Sequence, residues 1–246
     1  MIGGVMRRHL ADMYQLSYLT RRPADFASHV ADITDLASIQ PAFEGVDAVV
    51  HLAAASSVDA AWDAVLSDNI VGTYNVFEAA RRARVTRVVF ASSNHTVGMY
   101  EVDGAPGIYD VADRRLYDAH APVRPDSLYG ASKVFGEAVA RLYADRHGLS
   151  AICLRIGAVR DHDDPTRFMG ELASSTLPDL SVEETRHRLR AVWLSHRDCA
   201  QLVQRALETH LNWAVVYGVS NNPRRFWDLD GARELLGYEP LDSAPE

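Results

Sequence analysis

A doubly wound α/β fold on a parallel sheet is predicted by three features of the 246-residue sequence. Nearly unbroken apolar runs recur at 47–52, 88–90, 150–156 and 215–218, the pattern of parallel strands covered on both faces. Longer stretches of helical period separate them, notably 61–84 and 127–147, and alternation of this kind gives a sheet with helices against it. Polar residues then gather where a strand ends, at Ser92-Ser93-Asn94-His95, on the carboxyl edge where open α/β sheets bind ligands.

Hydrophobic residues at 48% and charged residues at 24% describe an ordinary globular chain, whose length suits one domain over 1–246 with a small carboxyl-terminal lobe. A net charge of −8 argues against a nucleic-acid or anionic-membrane surface, so any phosphate site must be local. With no charged leader and no apolar run near 18 residues, a cytoplasmic protein without a membrane partner is expected. Cys153 and Cys199 lack metal-ligand spacing and sit among apolar neighbours, as buried thiols of a reducing compartment do. His162 and His187 have no supporting ligands either, and no metal is expected.

Taken in order, the first ten residues read as a helix, with Val5, Met6 and Leu10 at helical spacing. Short strands are expected at 16–19 and 29–33. The strand at 47–52 runs into Ala53-Ala54-Ala55, small residues that let a ligand lie against the backbone. The helix over 61–84 carries Asn69 and ends basic, which complements its dipole. Residues 101–125, rich in Asp, Gly, Pro and Tyr, read as a loop over the substrate. The helix over 127–147 stops near Gly148. Segment 158–195 is assigned to the substrate side, and its part from 160 to 190, which mixes acids and arginines without a clear period, is expected to be a flexible flap. Ser195-His196-Arg197-Asp198 reads as a capped helix start, 215–218 as a last strand and 228–236 as a closing helix.

Tyr129 and Lys133 lie four apart on one helix, so their side chains share a face. A lysine beside a phenol favours the phenolate and is expected to lower the tyrosine pKa from about 10, which makes Tyr129 a general base or acid. Ser93 supplies a hydroxyl that can hold the substrate oxygen. Each pattern alone recurs by chance on surface helices and in turns. Their joint presence on one α/β scaffold describes a site.

The runs Phe90–His95, Leu128-Tyr129-Gly130 through Lys133, His51-Leu52-Ala53-Ala54, Trp193-Leu194-Ser195-His196 and Val216-Tyr217-Gly218 carry a resemblance. From Gly3 to about Glu239 the chain resembles the extended short-chain dehydrogenase/reductases, also called the NAD-dependent epimerase/dehydratase family, and within them the uronate dehydrogenase branch. The resemblance implies a Rossmann-like sheet and a Ser93, Tyr129, Lys133 mechanism that oxidises the C1 hydroxyl of a sugar or sugar acid to a lactone. Ser57, Ser93, Asn94 and His95 would meet the sugar, and Arg188 its carboxylate, although Arg188 or Arg190 could equally form an internal ion pair. Gly3, Asp32, Ile33, Leu52, Ala53, Ala54, Asn69 and Ile156 would meet the dinucleotide, together with Tyr129 and Lys133. Asp32 could instead cap the helix that follows. Relatives using NAD commonly place an acid where this chain has Arg21 and Arg22; these suit the 2′-phosphate of NADP, or form a solvated turn, so the cofactor is NAD or NADP with a lean to NADP. Helix 127–147 commonly pairs relatives, which implies a dimer or higher homo-oligomer. A sugar-nucleotide epimerase or dehydratase, an NADPH-linked reductase and an inactive relative that only binds are the other readings.

The family pattern Gly-x-x-Gly-x-x-Gly is matched only by its last glycine, Gly3, and no strand precedes it. The physiological protein is therefore expected to begin about 10–20 residues upstream. Without that strand, ladder positions beside 16–19 and 48–52 would stay unfilled.

Overall fold

A computed structural model describes residues 1–167, 177 and 179–245. Helix α1 (Ile2–Leu10) leads to two short parallel strands, β1 (Leu19–Thr20) and β2 (His29–Val30), and then to the single turn α2 (Leu36–Ile39). After β3 (Ala48–His51) a long helix starts as α3 (Trp62–Ala64), widens into π-helical turns over Val65–Val71 and continues as α4 (Gly72–Arg82). Strand β4 (Arg87–Ser93) passes into a 3₁₀ turn, Asn94–Val97, and α5 (Met99–Gly104). The rest is α6 (Leu128–His147), β5 (Ser150–Ile156), α7 (Val182–Ala191), α8 (His196–Glu208), β6 (Trp213–Gly218) and α9 (Asp230–Leu236).

Strands β3, β4, β5 and β6 form one parallel sheet in that order. Alternate side chains explain why its centre is apolar throughout. Val89, Ala91, Ile152 and Leu154 join a core that includes residues of α1, α8 and α9, whereas Val88, Phe90, Ala151 and Cys153 join one with residues of α4 and α6. The doubly wound parallel architecture expected from the sequence is thus present. Strands β1 and β2 make a separate sheet, and the edges of β1 and β3 both line one cleft, with no ladder between them.

Caps set the helices that matter for the site. Ser127 accepts from the Gly130 amide at the start of α6, and Gly148 ends it at φ +65°, where a side chain would be strained. At the start of α8, Ser195 Oγ accepts from the Asp198 amide. Asp198, 0% exposed, in turn accepts from Ser220 Oγ and from the amides of Leu241 and Asp242, clipping the carboxyl-terminal tail to α8.

Three expectations are corrected. The strand placed at 16–19 is only Leu19–Thr20. The loop placed at 101–125 begins inside a helix, α5, whose Glu101 is 1% exposed; its charge is met by Arg188, so polar composition hid a buried element. The flap ends in a regular helix, α7, started by a Ser181–Glu184 capping box; only Arg188, Leu189 and Ala191 are buried, too few to show a period. Its residues 168–176 and 178 lie outside the described residues.

Candidate active site

Near the carboxyl ends of β3, β4 and β5 lies a cleft of about 800 Å³, of the size usual for cofactor and substrate sites. Gly3, Leu52, Ser93, Tyr129 and Arg188 are among its walls, so it joins the amino end of α1 to α6.

Helix α6 can bring Tyr129 to Ser93 because Gly130 has no side chain. A Cβ there would sit 2.3 Å from the His95 carbonyl oxygen, which the helix therefore approaches closely. Tyr129 is 9% exposed and lines the cleft together with Ser93. Burial raises its pKa, the Asp126 charge adds to this, and the Ser93 contact opposes it. The lowering expected from Lys133 is thus corrected, because desolvation outweighs the favourable contacts. Lys133, 3% exposed, donates to the Ala91 carbonyl at 2.8 Å and lies 5.6 Å from the centre of the Tyr129 ring. Burial pushes it down to about 8.

Several of the residues expected to meet the sugar gather around this pair. Asn94 is buried with its Oδ1 3.3 Å from Ser93 Oγ. His95 meets the Tyr129 ring edge-on at 5.9 Å, and its Nδ1 is 2.7 Å from Asp126 Oδ2. Asp126 was not singled out from the sequence; Pro-Asp-Ser before a helix signals only a cap. Ser57 is exposed and turned to the Asp59 amide, while its neighbour Ser56 lines the cleft. Arg188 lines the cleft too, but its Nε donates to Glu101 at 2.7 Å, so the internal ion pair left open from sequence is formed.

Of the residues expected to meet the dinucleotide, Gly3, Ile33, Leu52, Ala53, Ala54 and Ile156 line the cleft. A Cβ on Gly3 would sit 3.8 Å from Leu52 Cδ1, an ordinary contact. Asn69 sits in the π-helical turns and is anchored by Ala55 and by Ser132 Oγ, which itself donates to the Tyr129 carbonyl. Asp32 neither lines the cleft nor caps α2: it accepts from the Thr34 amide, and Asp35 is the cap. Arg21 and Arg22 stand outside the cleft, and Arg21 is paired with Asp68 at 2.9 Å. Arg7, overlooked in the sequence, lines the cleft and stacks over Phe26.

The sequence profile described as the NAD dependent epimerase/dehydratase family matches residues 1–215. The chain belongs to this family. Among its relatives, the L-arabinose 1-dehydrogenase (NAD(P)(+)) of Haloferax volcanii is 40% identical over 247 residues, covering 99% of this chain and 93% of that protein. The NAD-dependent glucose-6-phosphate dehydrogenase of the same organism is 36% identical over 256 residues, covering 100% and 91%. A crystal structure of a mutant uronate dehydrogenase from Agrobacterium tumefaciens complexed with NAD superposes with a TM-score of 0.77 at 29% identity, covering 99% of this chain and 82% of that one. The Rossmann-like sheet expected from the resemblance is therefore shown, and the relatives are NAD-linked sugar and sugar-acid dehydrogenases.

The cleft fits a dinucleotide of the family. Among the described residues the Lys133 ammonium, with three donors, has one hydrogen-bond acceptor, Ala91 O, which leaves donors for a ribose. Ala53 and Ala54 put only small side chains on the wall, and the first turn of α1 lines the same cleft. Among the described residues no group of three or more His, Cys, Asp or Glu is placed to hold a metal ion, and no helix is long and apolar enough to cross a membrane.

Proposed function

We propose that the chain is an NAD(P)-dependent oxidoreductase that converts the C1 hydroxyl of a sugar or sugar acid to a lactone. The observation that carries this is the meeting of Ser93, Tyr129 and Lys133, the last one turn along α6 from Tyr129, on the wall of a single cleft at the sheet's carboxyl edge. Ser93 and Asn94 hold the reacting hydroxyl, and Tyr129 as phenolate takes its proton. Lys133 holds the nicotinamide ribose and favours the phenolate when it is charged. His95, oriented by Asp126, contacts a further sugar oxygen. Bound NAD would supply the hydride acceptor at its nicotinamide ring.

Gly3, Arg7 and the first turn of α1 would hold the pyrophosphate, with Leu52, Ala53, Ala54, Asn69 and Ile156 along the rest of the dinucleotide. The Asp68 carboxylate beside Arg21 offsets the charge expected to favour NADP, which leaves the exposed Arg22 as the remaining cation of that turn. Leu66, Val71 and Tyr74 on the long helix and Leu142 on α6 are exposed apolar residues that support pairing of two copies through these helices. The test is absorbance of reduced nicotinamide with NAD and NADP against a panel of aldoses, uronates and sugar phosphates. Folded protein that reduces neither cofactor with any of them would overturn the proposal.

A further inference from the structure

We infer that Arg160 is the residue that recognises a carboxylate or phosphate on the sugar, at the end remote from the reacting carbon, with the Arg188–Glu101 pair as the fixed edge of that subsite. This rests on the oxidoreductase reading above.

Two guanidinium groups, Arg160 and Arg188, line the cleft on the side of β5 and α7. They differ in how their charge is met. Arg188 donates from Nε to Glu101 Oε1 at 2.7 Å, and Tyr109 donates its hydroxyl to the same oxygen at 3.0 Å, so that unit is balanced. The Arg160 side chain has no hydrogen-bond or ion-pair partner among the described residues, although its Nε is shielded from water. Arg190 and Arg225 also carry a shielded, unbonded Nε, but neither lines the cleft. Burial lowers the Arg160 pKa, and the Arg188 charge lowers it further. Arg160 is half-buried and stays charged at neutral pH, so an anion entering the cleft would meet a cation that no carboxylate of the described residues neutralises.

The three nearby aspartates in sequence do not supply that anion. Asp163 accepts from the His196 amide, Asp164 from the amides of Thr166 and Arg167, and Asp161 is exposed. The Arg160 backbone is held instead. Its carbonyl accepts from the Asp163 amide at 3.1 Å and from His196 Nε2 at 2.6 Å, while Arg8 Nη2 donates to His196 Nδ1 at 3.2 Å. A guanidinium only donates and a carbonyl only accepts, so the imidazole is the neutral Nε2–H tautomer. Arg160 follows β5 by four residues, next in the sheet to the strand that ends in Ser93. A sugar whose C1 lies at Tyr129 therefore has a cation available elsewhere in the same cleft.

The test compares glucuronate, glucose 6-phosphate and glucose as substrates with NAD and NADP, for the wild type, Arg160→Ala and Arg160→Lys. The expected result is a fall in the ratio of kcat/KM for an anionic sugar to that for glucose, on the order of 10–100-fold in Arg160→Ala, through KM, and smaller in Arg160→Lys. The two acids separate carboxylate from phosphate recognition. Equal losses with anionic and neutral sugars would overturn the inference. Thermal-shift titration with glucuronate and inorganic phosphate reads the subsite without turnover. Wild-type stabilisation lost in both variants, with no sugar oxidised, would keep the subsite and reject the oxidoreductase reading. No anion-dependent shift in the wild type would reject the subsite.

Discussion

Replacing Glu137 with Gln keeps the side chain's shape and removes its charge. Arg155 donates from Nε and Nη2 to the two Glu137 oxygens, each at 2.9 Å, and Ser92 Oγ adds a third bond at 2.6 Å. Arg155 is 3% exposed, so the guanidinium left behind has no water to replace the carboxylate. Breaking a buried pair from one side costs about 3–5 kcal/mol. A chain of this size loses about 2–4 °C per kcal/mol, which places the fall in melting temperature at roughly 6–20 °C. Since Lys133 lies one turn before Glu137, and Ser92 beside Ser93, the variant should also lower kcat well below its melting temperature. Circular dichroism during heating gives the first quantity, and turnover at a fixed low temperature the second. The paired change Glu137→Leu with Arg155→Met removes both charges and should recover most of the loss. A fall under about 2 °C in the single variant, or a pair no more stable than it, would refute the view that this buried pair joins α6 to the sheet.

Tyr129→Phe should lower turnover by about 10²–10⁴-fold with the fold retained. Because burial raises this phenol, wild-type oxidation should increase with pH through the alkaline range as the proton leaves; a flat profile would remove Tyr129 as the base. Asp68→Asn releases Arg21, and the preference for NADP over NAD should rise by about threefold to tenfold in dissociation constants measured by fluorescence. An unchanged preference would place the 2′-hydroxyl away from this turn. Gly130→Ala should destabilise by about 1–3 kcal/mol and lower kcat, as α6 is pushed from the His95 carbonyl; urea unfolding with unchanged midpoint would contradict the close approach.

The strands and long helices were legible because both faces of β4 and β5 are covered and their sequences are apolar without interruption. That Ser93, Tyr129 and Lys133 line one cleft was legible because a strand end and a four-residue helical spacing fix where they lie. Glu101 and Glu137 were not, since an acid buried against an arginine from a distant element looks the same in sequence as an acid in water. The π-helical turns around Asn69 leave no pattern of their own, and their effect is seen only where Asn69 meets Ala55 and Ser132. Arg21 and Arg22 were misleading in part for the same reason: the acid that meets Arg21 comes from the long helix, far along the chain.

The clip at Asp198 ties the last stretch of the chain to the reaction cleft. Its carboxylate is enclosed, and the groups that satisfy it are neutral donors, two of them amides of the tail itself. Without the Leu241 and Asp242 amides the Asp198 carboxylate would keep only the Ser220 hydroxyl of these donors, so an undocked tail would favour a first turn of α8 that is open to water. Two residues earlier, His196 holds the Arg160 carbonyl. If Arg160 reads the substrate's anion, loosening of the tail, remote from Tyr129, should be felt first as a loss of substrate discrimination and only later in the rate with neutral sugars.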